Sequence, residues 1–408
     1  MKLRRLKRSL TLGATCAVHA LQDGFGATLY VLLPVLAETF GLSYAQVGLI
    51  RAAKSGAMMV FELPSGILAE RWGARTLLVF GLGCAGAAYL VLPTAASFAV
   101  ILLILFVSGL GAAFQHSLSS AIITTTFTGA ARRTALGAYN ASGDVGKLTL
   151  AGLFTLAIGL GFAWQPVISL FGALGLALAF ITFLLLRQIG VGAHRAQAVP
   201  GTHASDKPGW GIRDRAGFAA LGTLVFVDIA VQAGFLTFLA FLMTAKQVPT
   251  GLAAFAVVLT LAGGIFGKFG CGFLANRLGV RGALVAVQCL TAAGILAVLL
   301  APTLIAYFLL PFLGLVLQGS STITYGSVAD MFYEARASRG FAAIYTIASG
   351  ASVMGPVIFG VIGDRFGLAP ALCAMAFAVL ASLPLVVLLD RARLPVNKQG
   401  AEHDARPL

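Results

Sequence analysis

Charged side chains are scarce in this sequence. Asp, Glu, Lys and Arg together make up 10% of its 408 residues, whereas hydrophobic residues make up 59%. Soluble domains carry about 25% charged residues, so this composition excludes a soluble globular fold. The formal net charge is +14. It does not indicate a nucleic-acid partner, because the cations cluster in short segments between apolar stretches instead of covering a polar surface.

Cysteines are few and catalytic motifs are missing. The five cysteines lie in apolar stretches without a Cys-x-x-Cys pair, which indicates small core residues rather than disulfides or metal ligands. No nucleotide-binding lysine loop, nucleophile elbow or metal-ligand spacing occurs, so we expect no enzyme, no cofactor and no metal ion. The cysteines are Cys16, Cys84, Cys271, Cys289 and Cys373.

Long apolar stretches dominate what is present. A bilayer-spanning helix needs about 20 apolar residues, and the chain supplies about a dozen such stretches. We therefore predict an all-α membrane protein with twelve transmembrane helices in two pseudo-symmetric six-helix bundles. The first stretch is too long for a cleaved signal, so we interpret it as a retained first span. The bundles are predicted at residues 1–187 and 215–390, with a cytoplasmic linker at 188–214 and a polar tail at 391–408.

A ten-residue block that occurs twice supports the division into halves. It begins at Gly66 and again at Gly272, and Asp23 and Asp228 are separated by nearly the same interval. Duplication at half the chain length is typical of transporters. The identical pairs are Gly66/Gly272, Leu68/Leu274, Ala69/Ala275, Arg71/Arg277, Gly73/Gly279 and Arg75/Arg281.

The distribution of Lys and Arg predicts the orientation in the membrane. Cytoplasmic loops carry an excess of these residues. In this chain they follow every second predicted span, whereas the opposite loops carry mainly Lys246 and Arg365. We therefore predict that both termini are cytoplasmic, in a bacterial-type inner membrane. The cations that define the cytoplasmic loops are Arg71, Arg75, Arg132, Arg133, Arg277, Arg281, Arg336, Arg339, Arg391 and Arg393, together with those of the linker.

The repeated block carries a family resemblance. The pattern Gly-x-Leu-x-acid-Arg-x-Gly-x-Arg between the second and third spans, with a near copy between the eighth and ninth, resembles the major facilitator superfamily. This resemblance implies two bundles around a central cavity that opens alternately to each side, with the block acting as a gate. In the second copy Asn276 replaces the acidic residue. The implied gate residues are Glu70, Arg71, Arg75, Arg277 and Arg281.

A finer resemblance concerns the first and fourth spans. His19 and Asp23 lie in the first, and Phe114-Gln115-His116 lies in the fourth. This arrangement is similar to the fosmidomycin-resistance group of exporters, which have a His and an acid in the first span and a Phe-His pair in the fourth. The resemblance implies drug resistance through efflux by antiport.

Ionisable residues within predicted spans are the candidate functional residues. A charge at mid-bilayer costs about 2.5–3.5 kcal/mol on insertion scales, so it persists where it faces a wet cavity, forms a pair or carries protons. His19 and Asp23 are four residues apart, and this pair could exchange a proton or hold span 1 against its neighbours. Asp144 and Lys147 share one face of span 5, either as an internal ion pair or as a pair that opens for solute or proton.

Other spans add further candidates. Glu62 and its repeat-related counterpart Lys268 are interpreted as gate contacts or as substrate ligands. Arg51 and Lys54 could reach the interface with their long side chains, or they could line the cavity mouth. The complete set for substrate binding and proton coupling is His19, Asp23, Glu62, His116, Asp144, Lys147 and Asp228.

These features predict a secondary active transporter driven by a proton gradient, which exports a small toxic solute of drug-like or anionic character. The expected partners are that solute, protons and the lipid bilayer, and the chain is expected to act as a monomer. Three alternatives remain open at this point. They are proton-coupled uptake of a small organic anion, efflux of arsenite or organoarsenicals, and a membrane receptor that transports nothing.

Overall fold

The computed structural model describes residues 2–192, 212–328, 331–332 and 337–389. Within these ranges the chain is helical, apart from short connections and one isolated bridge between Ile212 and Phe332. A 3-10 turn at Leu92–Thr94 follows α3. The helices are α1 (Lys2–Phe40), α2 (Tyr44–Trp72), α3 (Ala74–Val91), α4 (Phe98–Thr126), α5 (Gly129–Gly159), α6 (Trp164–Gln188), α7 (Arg215–Ala245), α8 (Thr250–Leu300), α9 (Thr303–Gly326), α10 (Ala337–Phe366), α11 (Leu368–Ala381) and α12 (Leu383–Val386).

Several predictions fall on parts of the chain that the structure does not describe. Most of the predicted linker and the whole predicted tail lie outside the described ranges. The same is true of Arg336, Arg391 and Arg393, and of the side chains of Glu70, Arg133 and Arg339.

Ten helical segments among the described residues are long and apolar enough to cross a membrane. Helices α2 and α5 do not belong to this set, although they contain 29 and 31 residues. Both carry several charged side chains, which lower their apolar content. The prediction of an all-helical, multi-pass membrane protein is therefore confirmed.

Three turns between helices share one backbone conformation. Gly73, Gly279 and Gly367 have φ values of 81°, 71° and 93°, a region that favours glycine because it has no Cβ. The first two belong to the repeated block, and Gly279 divides α8 into two arms. The third ends a partial copy of the block, Gly-x-x-x-acid-Arg-x-Gly, that begins at Gly360. One local sequence therefore builds the same sharp turn three times.

The helix ends form two groups, which we name the Tyr44 end and the Arg71 end. The Tyr44 end contains the connections that follow α1, α3, α5, α7, α8 and α10, and there Tyr44 of α2 contacts Asp364 of α10. The end of α8 lies in this group because Lys246, after α7, donates to the carbonyls of Leu299 and Ala301.

The Arg71 end contains the connections that follow α2, α4 and α6, the end of α9 and the residues after α12. There the backbone N–H of Arg75 donates to the carbonyl of Gly192 at 3.0 Å, and that of Arg213 donates to the carbonyl of Met331 at 2.8 Å.

Helices pack against one another within each half of the chain and also between the two halves. In the first half α1 packs on α5, α2 on α4, and α3 on α4 and α6. In the second half α8 packs on α9, and α7 on α10. Between the halves, α2 packs along α10 and α5 along α8. These two cross-contacts position the charged residues of α2 and α5 next to the second half.

The contact between α1 and α5 depends on a close backbone approach at Gly146. A Cβ at this position would overlap the backbone of Ala20. Small residues allow membrane helices to approach closely, and here the approach brings the first span against the charged face of α5.

We expect Gly146→Ala to destabilise the protein by about 1–3 kcal/mol, because the added methyl group overpacks this contact. The matched control is Gly152→Ala on the same helix, where a Cβ would meet no atom within 4 Å. Alanine is favoured over glycine in a helix by about 1 kcal/mol, so the control should be neutral or slightly stabilising. Thermal unfolding of the two detergent-purified variants measures the difference, and equal midpoints would contradict the close approach.

Candidate functional site

A cavity of about 860 Å³ lies between the two halves of the chain. Its wall reaches Thr124 of α4 and Tyr325 of α9, each within one turn of the Arg71 end of its helix. In the other direction the wall ends at Tyr30 and Arg51. Arg51 lies about two turns into α2, so the wall stops two turns short of the Tyr44 end of that helix. The cavity is therefore closed at the Tyr44 end and extends towards the Arg71 end.

The closure at the Tyr44 end joins α2 to α10 and α7. The carboxylate of Asp364 accepts the backbone N–H groups of Tyr44 at 2.7 Å and Ala45 at 3.0 Å. The Tyr44 ring packs edge-on against Phe238 and Phe241, with centroid distances of 5.9 and 5.7 Å. An anionic side chain from the second half therefore caps the first turn of a helix from the first half, where the helix dipole favours negative charge.

A line of four charges borders the cavity, and its members Asp23, Lys147 and Lys268 lie on the wall. Lys147 Nζ lies 3.1 Å from Asp23 Oδ2 and 3.2 Å from Asp144 Oδ1. Lys268 Nζ donates to both oxygens of Asp144 at 2.7 Å. The line connects α1 through α5 to α8, so it passes from the first half to the second. Removing the charge of one carboxylate would leave a half-buried ammonium group without its full set of partners.

Two imidazoles flank the carboxylate of Asp23. His19 Nδ1 lies 2.7 Å from the carbonyl of Tyr139 and must donate to it, because a carbonyl oxygen only accepts. The other nitrogen, Nε2, faces Asp23 Oδ2 at 3.4 Å. His116 Nε2 lies 3.8 Å from Asp23 Oδ1. The Tyr139 ring stacks on His19, and its hydroxyl accepts from Gln115 at 2.5 Å. This arrangement can receive a proton on either imidazole and hold it next to the carboxylate.

His19, Asp23 and His116 also form a group of potential metal donors in the described part of the chain. Donor atoms of His19, Asp23 and His116 lie within 4.8 Å of one another. However, the ammonium group of Lys147 already contacts Asp23. A metal cation would meet this fixed positive charge at close range, so the surroundings favour proton exchange over metal binding.

The cations of α2 lie at the closed end of the cavity. Arg51 donates to Ser55 Oγ at 3.0 Å and to the hydroxyl of Tyr30 at 2.8 Å. Lys54 is buried one turn further along the helix, on the cavity wall. Glu62 lies two turns beyond Lys54, also on the wall. Three charged residues of α2 thus face the same cavity at successive depths.

Asp228 departs from its expected position. We expected it to face the cavity as the counterpart of Asp23, but instead it accepts a hydrogen bond from Gln288 Nε2 in the second arm of α8, at 2.6 Å. Its neighbours Ile229 and Gln232 occupy the cavity-facing positions of α7. The carboxylate of Asp228 thus contacts α8, while its neighbours line the cavity.

Among the predicted gate residues whose side chains the structure describes, all but one lie apart from the cavity. Arg75 lies 3.5 Å from the carbonyl of Leu186, at the end of α6. Arg71, Arg277 and Arg281 are exposed, and Arg277 lies over the ring of Phe273. The exception is Lys268, which joins the charge line through Asp144.

Sequence reasoning missed several residues of the site. Gln22 precedes Asp23 in an apolar helix, and such an isolated amide is a detectable signal. Asp364 stands at the acidic position of the third partial block, where a search for copies at other intervals would have found it. The carbonyl of Tyr139 carried no signal, because a backbone group has no sequence signature.

Long apolar helices around a closed-ended, charged cavity define a multi-pass membrane protein with a polar internal chamber. The sequence signature of the Major Facilitator Superfamily matches residues 15–270. This chain therefore belongs to the Major Facilitator Superfamily, which confirms the resemblance seen in the repeated block.

Curated relatives match at moderate identity. The chain is 26% identical over 369 residues to the "Uncharacterized MFS-type transporter YfnC" of Bacillus subtilis, covering 88% of both proteins. It is 30% identical over 181 residues to "Autophagy-related protein 22-1" of Penicillium rubens, covering 39% of this chain and 30% of that protein. A protein of the same name from Aspergillus niger matches over 32% of its length. The chain thus spans about a third of the length of these fungal relatives.

Solved structures share the fold. A bacterial homologue of the human lysosomal transporter Spinster, in an inward-facing and unoccupied conformation, has a TM-score of 0.71 at 21% identity and covers 95% of both chains. The nucleoside transporter NupG has a TM-score of 0.73 at 14% identity, covering 95% of this chain and 99% of that one. At such identities the similarity concerns the fold alone.

Proposed function

We propose that this chain is a secondary active transporter that exports a small solute in exchange for protons. The observation that carries the proposal is the charge line from Asp23 to Lys268. It joins the two halves across the cavity, and it contains carboxylates that a proton can neutralise. Neutralising Asp144 would weaken the hold on Lys268 and free α5 to move relative to α8. The same step would alter the charge that the solute meets.

The finer architecture belongs to the same proposal. The ten apolar segments together with α2 and α5 make twelve spans, which form two six-helix bundles related by duplication. We place both termini in the cytoplasm of a bacterial-type inner membrane, with the chain acting as a monomer. In this orientation the Arg71 end faces the cytoplasm, so the cavity extends towards the inside of the cell.

Alternating access supplies the mechanism. In the conformation described above, solute enters from the Arg71 end and reaches the charge line. Opening of the contact between α2 and α10 at the Tyr44 end, together with closure at the other end, would release the solute outside. Protonation must favour one of these conformations over the other, because a proton that binds both equally shifts nothing.

The test begins with a bacterial host that lacks its own exporters and expresses this chain. We expect expression to raise the tolerated concentration of at least one compound in a panel of toxic solutes. In everted membrane vesicles the same compound should accumulate when the interior is acidified, and a protonophore should abolish the accumulation. Asp144→Asn, expressed at the same level, is the inactive comparison.

The same measurements decide between export and uptake. Lower tolerance on expression, with accumulation in cells rather than in everted vesicles, would replace export by uptake. Solute flux that persists unchanged in the presence of the protonophore would contradict proton coupling. No change in tolerance to any compound and no flux in vesicles would contradict transport itself.

A further inference from the structure

The closed end of the cavity contains a buried ammonium group without a hydrogen-bond partner. The side chain of Lys54 is 5% exposed, and its Nζ has no partner among the described residues. Its nearest aromatic ring is that of Tyr89, with the centroid 5.6 Å away. A cation over a ring is stabilised by about 0.5–2 kcal/mol, which is much less than the cost of burying an unpaired charge.

An amide with the same property lies on α1, one turn from Gly26, where a Cβ would stand 3.8 Å from Lys54 Nζ. Gln22 is 3% exposed, and neither its Oε1 nor its Nε2 has a partner among the residues that the structure describes. Both Gln22 and Lys54 line the cavity. Buried polar groups in folded proteins are nearly always hydrogen-bonded, so two unsatisfied polar side chains on one cavity wall indicate that this wall accepts a polar ligand.

The charge balance gives the sign of that ligand. Lys147 and Lys268 are held by carboxylates, as described above. Arg51 and Lys54, in contrast, have no carboxylate within 4.0 Å in the described part of the chain. Arg51 uses two of its nitrogens on neutral hydroxyl groups, and its Nε has no partner. The closed end of the cavity therefore holds two cationic side chains that form no direct ion pair in the described part of the chain.

We propose that Lys54, together with Gln22 and Arg51, forms an oxyanion subsite that holds the negatively charged group of the transported solute. Lys54 supplies a positive charge with free donors, and Gln22 Nε2 adds a neutral donor. Gln22 Oε1 accepts from a hydroxyl or amino group on the same solute. The chemical class is a small organic molecule with a carboxylate or phosphonate group next to a hydrogen-bond donor. This assignment rests on the proposed transport function, since it defines what is transported.

The electrostatic half of the proposal is tested without knowing the solute. In a cysteine-free full-length chain, Met58→Cys places a thiol on the cavity wall one turn from Lys54. Its labelling rates with an anionic and with a cationic methanethiosulfonate reagent are compared. Lys54→Met should lower the ratio of the anionic to the cationic labelling rate by about tenfold. The anionic reagent loses the attraction of one positive charge and the cationic reagent loses its repulsion, at an effective dielectric constant of about 20–80.

Matched variants separate a local effect from a general one. Lys54→Arg should keep the ratio, and Arg187→Met, which removes an exposed charge at the end of α6, should leave it unchanged. A second thiol at Ser349→Cys, on the wall formed by α10, should respond less to Lys54→Met. An unchanged ratio at Met58→Cys would overturn the proposal.

Binding is tested by thermal unfolding of the purified full-length protein with four small probes. Benzoate and phenylphosphonate carry the two candidate anions, benzamide is a neutral analogue, and benzamidine is a cationic one. We expect at least one anion to raise the unfolding midpoint and the other two probes to leave it unchanged. Lys54→Met should abolish the shift and Lys54→Arg should retain it, and the stronger of the two anions identifies the preferred oxyanion.

The outcomes distinguish this subsite from the proposed function. Neither measurement needs a proton gradient, so loss of proton coupling would leave both results intact. A shift that is equal for benzoate and benzamide, no shift with either anion, or a shift that survives Lys54→Met would contradict the subsite while leaving transport itself untouched.

Discussion

Replacing Asp144 with asparagine should abolish proton-driven accumulation of the solute while leaving the protein folded. Asp144 accepts hydrogen bonds from Lys268 through both oxygens and from Lys147 through one. Asparagine has the same shape, but its amide carries no charge and turns an N–H₂ group towards one of the two ammonium groups. Each charge-assisted hydrogen bond contributes about 1.5–3 kcal/mol, and partial exposure of Lys268 reduces the value here.

The expected phenotype is selective, because asparagine imitates the protonated carboxyl group. Exchange of labelled for unlabelled solute needs no net proton movement, so Asp144→Asn vesicles should retain it. Accumulation against a gradient does need it, and it should fall to the level of empty vesicles. Asp144→Glu keeps the charge and should retain part of the accumulation.

The double variant Asp144→Asn/Lys268→Met tests the link between the halves. The double variant should unfold at a higher temperature than the Lys268→Met variant, because the single substitution leaves the Asp144 carboxylate with only one of its two cationic partners. Full accumulation by Asp144→Asn would refute its role in proton coupling. Loss of both exchange and accumulation, with a lowered unfolding midpoint, would show that the residue acts through stability.

Contacts within one helix could be predicted from the sequence. The spacing of His19 and Asp23, and of Asp144 and Lys147, places each pair on one helix face, because the α-helix repeats every 3.6 residues. The structure contains both contacts, at 3.4 Å and 3.2 Å. Charged residues of α2 and α5, namely Arg51, Glu62 and Lys147, also lie on the cavity wall.

Contacts between helices could not be predicted in this way. Asp23 meets Lys147 because Gly146 lets α5 approach α1 at one particular height and rotation, which the sequence periodicity does not specify. The pairing of Asp144 with Lys268 depends in turn on how the halves pack. Asp228 shows the same limit, because the repeat interval relates it to Asp23 in sequence and does not specify its hydrogen bond to Gln288.

Replacing Asp364 with alanine should shift the protein towards conformations that are open at the Tyr44 end. The carboxylate holds the first two N–H groups of α2, while Ser43 Oγ accepts the third, from Gln46. Capping a helix start and placing an anion there stabilise it by about 1–2 kcal/mol in favourable geometry. Because Asp364 belongs to the opposite half, this energy also holds the end closed, and its loss should change the closed-to-open ratio by about tenfold.

Spin labels on exposed positions measure the change at both ends. One pair, Phe162→Cys and Leu304→Cys, lies at the Tyr44 end, and the other, Gln188→Cys and Val387→Cys, lies at the Arg71 end. In the Asp364→Ala variant the distance between the labels at the Tyr44 end should lengthen while that at the Arg71 end shortens, because alternating access couples the two ends. The neighbouring exposed cation gives the control, because Arg365→Gln leaves the carboxylate in place.

The pattern of distances decides what Asp364 does. Opposite changes at the two ends would show that a carboxylate of the second half governs the balance between the two conformations. A longer distance at the Tyr44 end alone would mean that the substitution frays α2 locally, because an isolated loss of the cap does not require the other end to move. No change at either end would show that Asp364 is not needed for closure, and that the aromatic contacts of Tyr44 and the close packing of α2 on α10 keep this end closed.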